Sequence, residues 1–165
     1  MNQLQEVFLE ELADIYSAET QLLKALPKMA KAARAQELKD AFSAHLGETE
    51  NHVERLKQVF ETFGQTPPAR KCTCKGMEGL IAEGREIISD NEDSSALDAA
   101  LICAAQKVEH YEIAAYGCLR TWVRITDNQQ AVSLLQQTLD EEEAADQNLN
   151  QIAERSNLMA AEAAA

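Results

Sequence analysis

Acidic and imidazole side chains fall on the inward-facing stripes of four long helical segments, where leucines would be expected. In the first segment the stripe reads Leu4, Phe8, Leu12, Ile15, Glu19, Leu22, Leu26 and Met29. Every step is three or four residues, and Glu19 takes a leucine's place. The second stripe carries Leu38, Phe42, His45, Thr49, His52, Leu56, Phe60 and Phe63, with Glu48 on an adjoining stripe. The third segment places Glu109 and Glu112 three residues apart, and the last runs Val132, Leu135, Leu139, Glu142, Asp146, Leu149, Ile152. A buried carboxylate is costly unless something of opposite charge holds it. Acids at matching depth on four helices therefore point to a metal site inside a helix bundle.

Dinuclear carboxylate centres of this kind take a Glu from each of two helices and a Glu-x-x-His from each of the other two. Here Asn51 and Ala145 stand where the histidines would follow Glu48 and Glu142. Either His52 and Asp146 substitute at i+4, or His45 approaches from the turn before Glu48. The candidate ligands are Glu19, His45, Glu48, His52, Glu109, Glu112, Glu142 and Asp146. Glu48 and Glu142 are expected as bridges. Oxygen and imidazole donors suit iron or manganese, two ions per chain, with open positions for oxygen or peroxide. His110 lies beside the stripe and reads as peripheral. Tyr116, one turn after Glu112, reads as a core aromatic ahead of a partner to the acids, and Trp122 as packing. Cys72-Thr73-Cys74 has one residue between its thiols, which fits neither a redox Cys-x-x-Cys nor a closed zinc site. Cys103 and Cys118 are expected as small core residues of a helix.

The 165 residues fit one domain. Few glycines and prolines, and much Ala, Leu, Glu and Gln, favour helix over strand. A net charge of −13 would repel nucleic acid and anionic membranes. No run is apolar enough to span a bilayer and no secretory leader is visible, so a cytoplasmic protein is expected. No nucleophile elbow or glycine-rich loop points to a hydrolase.

These residues must be positioned by an all-α, ferritin-like four-helix bundle: two antiparallel helical hairpins, with a short extra helix in the long connection between them. The helices are expected at 2–34, with a kink or one loosened turn at Pro27, then at 36–63, 96–125 and 129–154. The short one is expected at 77–89. Asp93 or Ser94 should cap the third long helix. The bundle is expected over 1–155, with residues 156–165 as an Ala-rich flexible tail. Glu19 lies 33 residues before His52 and Glu109 lies 37 before Asp146, so the two hairpins echo one another.

The stretches Tyr16-Ser17-Ala18-Glu19, His45-Leu46-x-Glu48-Thr49, Met77-Glu78-Gly79-Leu80-Ile81 and Ala104 to Ala114 resemble the YciE/YciF stress-associated ferritin-like proteins. The YciF branch is the nearer, and the likeness covers all but the tail. It implies a ferritin-like bundle, a homodimer and bound metal. It also implies Glu19, Glu48, Glu109, Glu112 and Glu142 as ligands, with His45 fitting the family's His-x-x-Glu better than His52, which stands where the family often has Gln. Two functions are then expected to compete. One is a metal-binding stress protein that reacts with oxygen or peroxide. The other is a non-catalytic scaffold dimer whose metal is structural or absent.

Overall fold

Helix-favouring composition and a three-to-four-residue apolar period give five α-helices, described in a computed structural model over residues 3–68 and 73–162. They are α1 (Gln3–Ala32), α2 (Gln36–Thr62), α3 (Lys75–Asp90), α4 (Leu97–Val123) and α5 (Gln129–Glu162), with a 3₁₀ turn at Arg124–Thr126. Most ends fall within two residues of the sequence expectation. α1 runs unbroken through Pro27, which costs it one backbone hydrogen bond.

Helices α1 and α2 form one hairpin, α4 and α5 the other. α2 packs on α5 and α1 on α4, closing a ring in the order α1, α2, α5, α4. Asn128 bonds Thr62 at one end of the α2–α5 seam and Arg155 pairs with Glu37 at the other, so these two helices are antiparallel. Asp14–Tyr111 and Arg34–Asp98 show the same for α1 and α4. The connection from α2 to α4 must therefore travel the length of the bundle. α3 lies in it and packs along α1 and α4.

The helix ends show why the chain turns where it does. Gly64 takes a φ of 65°, the Gln65 N–H reaches Phe60 O at 3.0 Å and the Gly64 N–H reaches Glu61 O at 2.9 Å. This double bond from a left-handed glycine stops α2. Cys74 begins α3 earlier than expected because its thiol accepts the Met77 N–H at 3.4 Å. The cap expected of Asp93 or Ser94 is absent: Ser94 Oγ accepts from Ala96 N–H, and Ala96 itself stands at the cap position. Asp98, in the first turn of α4, instead accepts the Arg34 and Ala35 N–H groups at 2.8 and 2.7 Å and ties down the α1–α2 turn. Asn128 accepts the Ala131 N–H at 3.1 Å and caps α5.

Two expectations are corrected here. α5 continues to Glu162, past the expected stop at Glu154, because Ala, Leu, Met and Glu sustain a helix and no glycine or proline ends it. Leu158 and Met159 on this last stretch are exposed. Cys103 and Cys118 are exposed on the outer face of α4, not in the core. The inner stripe of α4 passes through Leu101, Ala105, Val108, Glu112, Tyr116 and Leu119, and both cysteines lie off it. Cys72 lies outside the described residues.

Candidate metal centre

Midway along the bundle the leucine core gives way to a layer of polar side chains. Glu19 comes from α1, His45, Thr49 and His52 from α2, Glu109 and Glu112 from α4, and Glu142 from α5, all buried. Leu22, Leu56, Leu119 and Leu135 are among the core residues that complete the core around them. Each polar residue sits on its helix's inner stripe, so forming the bundle forces all of them into one space.

Two groups of donors converge there. His45, Glu109, Glu112 and Glu142 each offer an atom within 4.8 Å of the others, and so do Glu19, His52 and Glu142. Glu142 belongs to both. His45 Nε2 lies 3.4 Å from Glu109 Oε1 and 3.8 Å from Glu142 Oε2. His52 Nδ1 lies 3.1 Å from Glu142 Oε1 and 3.3 Å from Glu19 Oε1. These approaches lack hydrogen-bond alignment. His45 Nε2, His52 Nδ1, Glu19 Oε2, Glu109 Oε2 and both oxygens of Glu112 and of Glu142 have no hydrogen-bond partner. A small divalent ion holds oxygen donors at about 2.1 Å, so donors on opposite sides stand about 4.2 Å apart. Adjacent donors around such an ion stand about 3.0 Å apart, so the approaches of 3.1, 3.3, 3.4 and 3.8 Å lie between the two spans. Four carboxylates also carry the charge that two divalent ions would balance.

The outward nitrogens of the two histidines are held in the same way. His45 Nδ1 is 3.2 Å from Glu48 Oε2, and His52 Nε2 is 2.9 Å from Glu141 Oε2. Arg55 grips Glu141 with contacts of 2.5 and 2.8 Å and also donates to Thr138 at 3.2 Å. A carboxylate behind an imidazole fixes its ring orientation and leaves the other nitrogen's lone pair for a cation. Tyr116 donates to Glu19 Oε1 at 2.5 Å, the oxygen that also lies 3.3 Å from His52 Nδ1, and Oε2 is left without a partner.

The clustered acids and imidazoles shift one another's titration. Burial would lower the His52 pKa, but Glu142 and Glu19 outweigh it and push it up to about 11. His45 is also raised: burial opposes, while Glu109 and Glu48 favour the charged ring. Burial, with neighbouring acids, raises Glu109 and Glu112 well above the usual carboxylate range, and burial raises Glu142 as well. Glu141 moves down: burial works against this, and Arg55 prevails. A proton and a cation would compete for the same inward atoms.

Of the eight sequence candidates, the structure brings Glu19, His45, His52, Glu109, Glu112 and Glu142 together. Glu48 stands outside both groups, behind His45, with its side chain 44% exposed. Asp146 is turned away: its Oδ1 lies 3.2 Å from Gln106 Nε2 and 3.3 Å from His110 Nε2. The inward residue of α2 is Thr49, whose hydroxyl bonds His45 O at 2.9 Å. Thr49-x-x-His52 thus fills the Glu-x-x-His register, with the carboxylate replaced. On α2 both His45 and His52 lie in the donor groups, while on α5 Asp146 lies in neither. Glu141, Arg55 and Thr49 escaped the sequence reading. Thr49 carried a signal, since it lies on the α2 stripe and Glu48 lies one residue off it.

Two antiparallel hairpins, a full-length crossover and a carboxylate–histidine layer define a ferritin-like four-helix protein. The pattern that defines the DUF892 family, a domain of unknown function, matches residues 3–164, and the chain belongs to that family. It is 46% identical to Protein YciF of Escherichia coli K12 over 153 residues, 93% of this chain and 92% of that protein. The crystal structure of that E. coli protein, described as a stress protein, superposes with a TM-score of 0.89, covering 94% of this chain and 98% of the other. YcfI of Rhodopseudomonas palustris, described as a candidate structural protein, is 41% identical with a TM-score of 0.85, over 91% of this chain and 94% of its own. A protein from Xanthomonas campestris shares the fold at 19% identity, TM-score 0.76, over 98% of this chain and 97% of its own.

Proposed function

We propose that this chain holds two iron or manganese ions in its core and reacts with oxygen or peroxide, in a stress role like that for which the E. coli relative is described. The observation that carries this is the pair of histidines. Each turns one nitrogen, unpartnered, toward shared carboxylates, and each has the other nitrogen held by an outer acid. His45, Glu109, Glu112 and Glu142 would hold one ion; Glu19, His52 and Glu142 would hold the other. A redox-active ion supplies electrons to an oxidant at positions the protein leaves open. The chain's own residues do the rest. Leu22, Leu56, Leu119 and Leu135 flank the layer, Tyr116 and Glu141 orient the donors, and Glu142 would be shared between the two ions.

The test is anaerobic loading with Fe(II) or Mn(II), then addition of oxygen or hydrogen peroxide, following oxidant consumption against free ion. Faster consumption by the protein, abolished in Glu142→Ala, is expected. Ions bound with no consumption would remove the reaction and leave a structural metal.

One observation favours a non-catalytic alternative. His52 Nδ1 lies 3.1 Å from Glu142 Oε1 and 3.3 Å from Glu19 Oε1, so a protonated ring there would neutralise part of the cluster without any ion. A buried proton network of this kind would specify the bundle's register and serve a scaffold, in line with the description of YcfI.

A further inference from the structure

The centre is sealed on one side and accessible on the other. Over His52, the Arg55–Glu141 pair and Thr138 bridge α2 to α5 and close the gap between the helices. Over His45 the facing surfaces carry Ala44, Ala144 and Ala145, and a cavity of about 140 Å³ remains between them. Ala44 and Ala144 are exposed, so the mouth meets solvent. At the floor lie His45 and Glu109, whose Nε2 and Oε2 are buried without a partner. Glu48 stands at the rim, its carboxylate part-exposed and 3.2 Å from His45 Nδ1. Small side chains leave the cavity open, Ala145 in the Glu-x-x-His register of α5 among them.

Resting on the proposed metal site, the geometry points to this cavity as the port by which divalent cations reach the core, with Glu48 as the carboxylate that receives them at the rim. The chain's net charge of −13 draws cations to the surface. Glu48 then sits one imidazole away from the first inward donors, His45 Nε2 and Glu109. An ion bound for Glu19 and His52 passes the His45 side first, because the other side is closed by Arg55. The port also selects what can follow. At about 140 Å³ it is below the roughly 300–1,000 Å³ typical of sites for larger organic ligands. The co-substrate class is therefore of dioxygen or peroxide size.

The experiment is stopped-flow mixing of metal-free protein with Co(II), following the visible absorption of the bound ion, alongside equilibrium affinity by chelator competition. Ala145→Leu fills the port. It should slow loading about tenfold, the order that access and steering contribute to on-rates, and leave affinity unchanged. Ala144→Leu, on an exposed turn, serves the same purpose if Ala145→Leu does not fold. Glu48→Gln keeps an oxygen for His45 Nδ1 but removes the charge. It should also slow loading, most at low ionic strength. Wild-type rates in these variants would overturn the port while leaving the metal site standing. So would an affinity loss in Ala145→Leu equal to the rate loss, which would place residue 145 against the ligands. If wild-type protein takes up no Co(II) at all, the metal site itself fails.

Discussion

The hydroxyl of Tyr116 fixes how the Glu19 carboxylate is turned beside His52. It holds Oε1 at 2.5 Å, and Oε2 is left without a partner. Both residues are fully buried, so no water substitutes for the bond. Tyr116→Phe keeps the packing and removes the donor. We expect Mn(II) affinity at the Glu19–His52–Glu142 group to fall by about 10- to 100-fold, as for other partners behind metal ligands. The His45 group should be affected far less, so a calorimetric titration would resolve one weakened site and one intact one. Two equal losses would show that Tyr116 does not act through Glu19. The asymmetry between Glu48 and Thr49 belongs at this scale as well. The carboxylate a ferritin-like centre would place on α2 is displaced by one residue, and it is found behind a histidine rather than between two ions.

At the scale of elements, α3 docks through a cluster around Cys74 and Tyr111. The Tyr111 hydroxyl donates to Asp14 Oδ2 at 2.8 Å and lies 2.9 Å from the Cys74 thiol, while the Cys74 N–H reaches Ser17 Oγ at 3.0 Å. Burial, with Asp14 close by, pushes the Cys74 thiol up. A Cβ added at Gly76 would lie 2.8 Å from Tyr111 Cε2, whereas one added at Gly79 would meet nothing within 4 Å. Alanine for glycine in a helix ordinarily stabilises by roughly 1 kcal/mol. Thermal denaturation should therefore show Gly79→Ala raising the midpoint and Gly76→Ala lowering it. A rise in both would mean that α3 is not held by the Tyr111 ring. The helices themselves were legible in the sequence because apolar residues recur at a helical period. The crossover was legible because only one connection is long. What escaped were features that depend on neighbouring helices. Cys103 and Cys118 looked like core residues in an apolar segment, yet the inner stripe of α4 bypasses them. Asp146 fitted the α5 stripe by spacing, but Gln106 and His110 on α4 meet it first. Arg55 and Glu141 pair across 86 residues, which no local pattern reveals.

For the whole molecule, the polar layer sets how stability responds to pH. Glu109, Glu112 and Glu142 titrate above their ordinary value of 4.5 in the folded chain, so their contribution is full below that pH and lost as pH rises through the raised values. His52 acts in the same sense: its contribution is full below 6.5 and lost toward about 11. The metal-free protein should therefore melt at progressively lower temperature between pH 5 and 9, and Glu109→Gln or Glu112→Gln should flatten the slope. A bound cation reverses the sign, because protons must leave for it to bind. The loaded protein should melt lower as pH falls toward 5. Identical profiles with and without chelator would contradict this. Among the described residues no helix is long and apolar enough to cross a membrane.

The central claim is that the layer exists to hold ions. It is tested most directly by metal content per chain, measured by plasma mass spectrometry on untagged protein prepared without chelator, beside Glu142→Ala. Glu142 is the residue both donor groups share. The account predicts about two iron or manganese ions per chain, as in other bundle carboxylate centres, and their loss in the variant. Protein that holds no metal after Fe(II) and Mn(II) are offered would contradict it, and would leave the buried acids and histidines as a proton-sharing structural core.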